Sequence, residues 1–122
     1  MARRILVIDD DPDTRMLLQF ILEGEGCVVD TASDGLDALA RARHTVPDVI
    51  VLDLMMPHMD GRTFRMAQLE DPRLAGVPVV LTTAMTPPAD GELAFAAAFQ
   101  KPLDFDAFIR TVMRLSERTR AA

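Results

Sequence analysis

The chain has 122 residues, 49% hydrophobic and 26% charged, a balance that excludes intrinsic disorder and suits one globular domain over residues 1–122. A net charge of −6 argues against direct nucleic-acid binding and suits protein partners or cations. No apolar run approaches the roughly 20 residues of a membrane span, Met1-Ala2-Arg3-Arg4 leads straight into a strand-like run rather than a signal peptide, and the lone Cys27 excludes an internal disulfide, so the expected compartment is the cytoplasm.

The first apolar run, Ile5–Ile8, has no polar alternation and predicts a strand buried on both faces, ending in Asp9-Asp10-Asp11. Pro12 opens a helix whose apolar stripe is Met16, Leu17, Phe20 and Ile21, and Gly24 stops it. Cys27–Val29 predicts a second strand, followed by a helix capped by Ser33 and carrying Leu36, Leu39 and Ala40. Val49–Leu52 is a third strand, closed by Asp53. A third helix follows Asp60-Gly61, with Phe64, Ala67 and Gln68 before Asp71-Pro72.

Val77–Leu81 predicts a fourth strand, with Thr82-Thr83 at its end. A short helix is expected between Ala89 and Ala96, then a weaker strand, Ala97–Gln100, before Lys101. The last helix takes Asp104 as N-cap and Leu103 with Phe108 as a hydrophobic staple, and carries Phe108, Ile109, Val112, Met113 and Leu115 on one side. Alternating strands and helices of this kind predict a doubly wound α/β domain with a parallel sheet.

Open α/β sheets bind ligands beyond the carboxyl ends of their strands, where the strand order reverses. In a five-stranded order 2-1-3-4-5 that point lies between strands 1 and 3, which end in Asp9-Asp10 and in Asp53. The neighbouring strand ends carry Thr83 and Lys101. Clustered carboxylates want a hard cation, and one of them can serve as a nucleophile. Asp11 and Asp13 read instead as turn formers or caps. Thr82 and Thr83 point to opposite faces of the strand, so only one of them can face the acidic cluster.

Ile8-Asp9-Asp10, Asp53-x-x-Met56-Pro57-x-Met59-Asp60-Gly61, Thr83-Ala84 and Lys101-Pro102 occur in order, each at a predicted strand end. With these motifs the chain resembles the response-regulator receiver domains of two-component signalling, over essentially its whole length. The resemblance implies a flavodoxin-like fold and a Mg²⁺-dependent phosphoacceptor. Asp53 would take phosphate from a histidine kinase or histidine phosphotransferase, with Thr83 and Lys101 assisting. Asp10, Asp53 and the backbone carbonyl of Met55 would ligate Mg²⁺, with Asp9 acting through water. Such a domain is a self-catalysing switch rather than an enzyme, and it passes its state to an output protein.

Three departures from the family pattern bear on output. Ala98 stands where an aromatic residue usually swings inward. Thr83 and Lys101 are only 18 positions apart, which shortens the fourth helix region. Met55 and Met85 replace the polar residues that orient an attacking water in rapidly dephosphorylating members. The alternatives are a phosphorylation-independent pseudo-receiver and an aspartyl phosphatase; the latter lacks a nearby second acid and a substrate-covering insertion. His44 and His58 have no ligand-spaced partners, Cys27 reads as a small hydrophobe, and Gly24-Glu25-Gly26 lacks the third glycine and the preceding strand of a dinucleotide fingerprint.

Overall fold

The computed structural model describes residues 2–54, 60–84 and 94–121, with side chains as far as residue 119. In chain order the elements are β1 (Arg4–Ile8), α1 (Pro12–Gly24), β2 (Val28–Ala32), α2 (Gly35–His44), β3 (Val49–Asp53), α3 (Gly61–Glu70), β4 (Val79–Thr83), β5 (Ala97–Gln100) and α4 (Phe105–Ala121). The strands form one all-parallel sheet in the expected order β2-β1-β3-β4-β5.

Strand alternation sends successive side chains to opposite faces, and each face has its own helices. Ile5, Val7, Val49, Val51 and Val80 pack with Leu18 and Leu22 of α1 and with Phe108, Val112 and Leu115 of α4. On the other face Leu6, Ile8, Ile50, Leu52 and Val79 pack with Ala38, Leu39 and Ala42 of α2 and with Phe64 of α3. Full burial stabilises each of the larger side chains by about 1.5–3 kcal/mol, which pins the strands in register.

Two strands are shifted from their predicted positions. β2 is Val28–Ala32 rather than Cys27–Val29, because the Cys27 N–H closes the end of α1 on the Leu22 carbonyl at 3.2 Å. As an edge strand, β2 also accommodates the half-buried Asp30 and Thr31. β4 is Val79–Thr83 rather than Val77–Leu81. The Val77 N–H is engaged in a turn with the Leu74 carbonyl, and Pro78 has no N–H to donate to a ladder.

Helix faces differ more. In α1 the predicted stripe is largely outward: Met16, Leu17 and Phe20 are 67%, 45% and 77% exposed, while Leu18 and Leu22 are buried. The α2 cap is Asp34, not Ser33; its Oδ1 accepts from the Asp37 N–H at 2.9 Å. Leu36 and Ala40 are exposed on that helix, and Gly35, Ala38, Leu39 and Ala42 form its buried side. The last helix is as predicted, with Asp104 accepting from the Ala107 N–H and Leu103 packed in the same cluster as Phe108.

Met55 and the rest of the Met55–Met59 stretch lie outside the described residues, as does Met85. So does most of the short helix expected over Ala89–Ala96; Ala94, Phe95 and Ala96 are not helical.

Candidate functional site

Each candidate residue stands at the carboxyl end of a strand. Asp9 directly follows β1, Asp53 closes β3, Thr83 closes β4 and Lys101 follows β5. Asp9, Asp53 and Thr83 are buried, whereas Asp10 is exposed. The topology brings Asp9, Asp10 and Asp53 together, with a carboxylate oxygen from each within 4.8 Å of the others.

Asp9 is held from three sides. Its Oδ1 accepts from the Asp11 N–H at 3.0 Å and its Oδ2 from the Lys101 ammonium at 2.9 Å. Its backbone carbonyl accepts from Arg15 Nη1 at 2.7 Å. Arg15 escapes a reading of the sequence, because one arginine in the second turn of a helix looks like any solvated charge. Asp11 caps α1 as expected: its carboxylate accepts from the Asp13 N–H and the Thr14 hydroxyl. Those bonds, the Thr14 hydroxyl foremost, hold its pKa below the usual carboxylate value.

Lys101 is the only lysine in the chain. Its backbone N–H donates to the Thr83 carbonyl at 2.7 Å, and its Nζ also lies 3.5 Å from Asp53 Oδ2. Burial works to lower its pKa, but the Asp9 hydrogen bond and the Asp9 and Asp53 charges outweigh burial and raise it. The peptide bond to Pro102 is cis.

The α3 start is fitted against the Asp53 strand end. Asp60 caps the helix through the Thr63 N–H at 2.9 Å, and the Gly61 N–H donates to the Leu54 carbonyl at 2.9 Å. A Cβ at Gly61 would lie 2.7 Å from Leu54 Cα and 2.9 Å from the Asp53 carbonyl oxygen. Only glycine lets the helix approach this closely.

Sheet register adds one detail. Asp53 is paired with Thr82, so these two side chains share a face, and Thr83 is paired with Gln100. The Thr82 hydroxyl is buried without a hydrogen-bond partner among the described residues.

Three carboxylates facing one ammonium leave an excess of negative charge at a polar edge. All-oxygen donors with excess negative charge suit a hard divalent cation. The strand order, with this cluster at its reversal point, defines a flavodoxin-like α/β domain bearing an acidic cluster that could hold a cation.

The family model described as "Response regulator receiver domain" matches residues 5–112. An uncharacterized 14.6 kDa protein of Leptolyngbya boryana is 38% identical over 114 residues, covering 90% of this chain and 87% of that protein. The DNA-binding response regulator MtrA of Mycolicibacterium smegmatis is 36% identical over 124 residues, covering 96% of this chain and 53% of MtrA. Among solved structures, the Vibrio cholerae chemotaxis protein CheY4 superposes with a TM-score of 0.87 at 28% identity, covering 94% of this chain and 99% of CheY4. The chain belongs to the response regulator receiver domain family.

It is therefore a receiver domain of two-component signalling, a family whose members are phosphoacceptors. MtrA is named as DNA-binding and this chain spans about half of it, so the net negative charge disfavours nucleic acid only for these 122 residues. Among the described residues no helix is long and apolar enough to cross a membrane.

Proposed function

We propose that this chain is a phosphorylation switch in which Asp53 accepts a phosphoryl group from the phosphohistidine of a histidine kinase or phosphotransferase. The carrying observation is the buried Asp53 carboxylate, clustered with Asp9 and Asp10 and 3.5 Å from the Lys101 ammonium. In the reaction an Asp53 oxygen attacks phosphorus as the P–N bond breaks. The bonding pair returns to the imidazole nitrogen, which takes a proton from water, and an acyl phosphate remains on Asp53.

Lys101 supplies a positive charge for the phosphoryl oxygens, kept beside Asp53 by its bond to Asp9 until they form. The Thr83 hydroxyl is assigned to the phosphoryl oxygens once they are present. Mg²⁺, held by Asp9, Asp10, Asp53 and the Met55 carbonyl, would neutralise charge on the transferring group. Attack of water on phosphorus returns Asp53 and inorganic phosphate. Met55 and Met85 have no strong hydrogen bond to offer that water, so the modified state is long-lived.

The partners are a phosphodonor protein and an output protein in the cytoplasm, with no direct role for nucleic acid. The exposed apolar residues Met16, Leu17 and Phe20 support a protein partner. Leu17 and Lys101 line one concave surface together with Pro102, Leu103 and Phe105.

Acetyl phosphate with Mg²⁺ tests the reading by intact-mass measurement. One phosphoryl group, labile to hydroxylamine and absent from Asp53→Ala, is expected. Modification that persists on Asp53→Ala overturns the choice of nucleophile, and no uptake at all favours a phosphorylation-independent interaction module.

A further inference from the structure

Arg65 is a charged residue inside the fold. It lies on α3, one turn past Gly61, and is only 4% exposed. Its Nη1 donates to Gln68 Oε1 at 2.7 Å and its Nη2 to the Ala94 carbonyl at 3.1 Å. Its guanidinium also stands 5.8 Å from the centre of the Phe95 ring, within range of a cation–π contact.

Gln68 is fully buried and fixed in turn. Its amide nitrogen donates to the Leu74 and Val77 carbonyls, both at 2.9 Å. With both amide hydrogens committed there, Oε1 is the atom left to face Arg65. Arg65 therefore has a rigid seat on the α3 side. On the other side it grips the chain just ahead of β5, at Ala94, whose φ of +48° is a left-handed conformation rarely adopted by residues with a Cβ.

Both ends of this bridge are tied to the acidic site. α3 begins against Leu54 and the Asp53 carbonyl, through the close approach at Gly61. β5 ends at Gln100, directly before Lys101. A phosphoryl group on Asp53 gives Lys101 a stronger partner than the Asp9 carboxylate it now holds at 2.9 Å. That draw acts along β5, whereas α3 is kept in place by its contact with Leu54.

We propose that Arg65 is a latch between α3 and the entry to β5, and that phosphorylation of Asp53 is passed to the Ala94–Phe95 segment by strain on this latch. The inference rests on the proposed phosphoacceptor role and adds a route for output. It needs no inward-swinging ring at position 98. Packed elements with discrete hydrogen-bonded arrangements respond by switching rather than by gradual deformation.

The test uses NMR of the 122-residue chain with Mg²⁺ and beryllofluoride, a phosphoryl mimic. In the wild type the Arg65 side-chain NH signals and the Ala94–Phe95 amides are expected to shift together with the Asp53 and Leu54 amides. In Arg65→Leu the Asp53 and Leu54 shifts should persist, while those at Ala94 and Phe95 fall to less than half. Arg65→Lys, which keeps charge without the two-pronged donor, should fall between. Wild-type Arg65 signals that do not move when Asp53 and Leu54 do would overturn the latch, whether or not the Leu variant folds. Equal Ala94–Phe95 shifts in wild type and Arg65→Leu would also overturn it. If Asp53 and Leu54 themselves do not respond, the phosphoacceptor reading fails first and the latch with it.

Discussion

Lys101 leans towards Asp9 rather than Asp53: its ammonium is 2.9 Å from Asp9 Oδ2 and 3.5 Å from Asp53 Oδ2. The buried Asp9 carboxylate holds the ammonium beside Asp53, the proposed nucleophile, rather than directly on it. With one ammonium against three carboxylates, the cluster keeps an excess of negative charge, which is where a metal ion has most to gain.

Mg²⁺ is therefore expected to raise the melting temperature. If only the folded state binds, stabilisation is about 1.4 kcal/mol at roughly ten times Kd. Asp10→Asn should remove most of that gain while folding normally in its absence. A wild-type melting curve that does not move across millimolar Mg²⁺ would sink the metal assignment.

The Lys101 charge can be isolated by pH, because the chain contains no tyrosine and no second lysine. Its raised pKa means that the ion pair stabilises the fold fully below the ordinary lysine value, about 10.4, and is lost as pH rises through the folded value. The stability difference between wild type and Lys101→Met, by urea denaturation, should hold steady to about pH 10 and close above it. Burial raises the Cys27 pKa, but that group is common to both proteins and cancels. A gap that persists unchanged at the most alkaline pH tolerated would show that packing, not charge, is what Lys101 contributes.

Gly61→Ala should destabilise the fold by about 1–3 kcal/mol, the usual range for forced overpacking. The new methyl would meet backbone atoms of Asp53 and Leu54, which cannot rotate away. Displacing that backbone should also slow uptake from acetyl phosphate, whereas Gly24→Ala, where a Cβ meets nothing within 4 Å, should do neither. Equal behaviour of the two variants would show that the close approach is not what selects glycine.

The adjacent threonines should behave differently. Thr82→Val removes a buried hydroxyl with no partner among the described residues and should be neutral or stabilising by about 1 kcal/mol, since it relieves a desolvated polar group. Thr83→Val should slow phosphoryl uptake on Asp53, through loss of the assigned phosphoryl contact. If Thr82→Val instead slows uptake and Thr83→Val does not, the functional hydroxyl is Thr82, the residue in register with Asp53.

Most of the acidic site is readable in one dimension. Buried parallel strands are short unbroken apolar runs, so the residues ending them can be located without knowing how the strands are arranged. Asp9, Asp53 and Lys101 fall at strand ends in this way, and a doubly wound order then requires those ends to share one edge of the sheet. The caps at Asp11, Asp60 and Asp104 are equally local, since each needs only a carboxylate within reach of an N–H two or three residues ahead.

Other features depend on contacts between distant parts of the chain. In α1 the residues Met16, Leu17, Leu18, Phe20, Ile21 and Leu22 surround the helix with apolar groups, so periodicity cannot choose the inner face. Packing chose Leu18 and Leu22 and left Phe20 outside. Nothing in its own stretch of sequence sets Arg65 apart, yet it is buried because Gln68 lies one turn on and the Ala94 carbonyl arrives from 29 residues away. A buried cation is tolerated only where such acceptors converge, and strand order and register, rather than local sequence, bring them there.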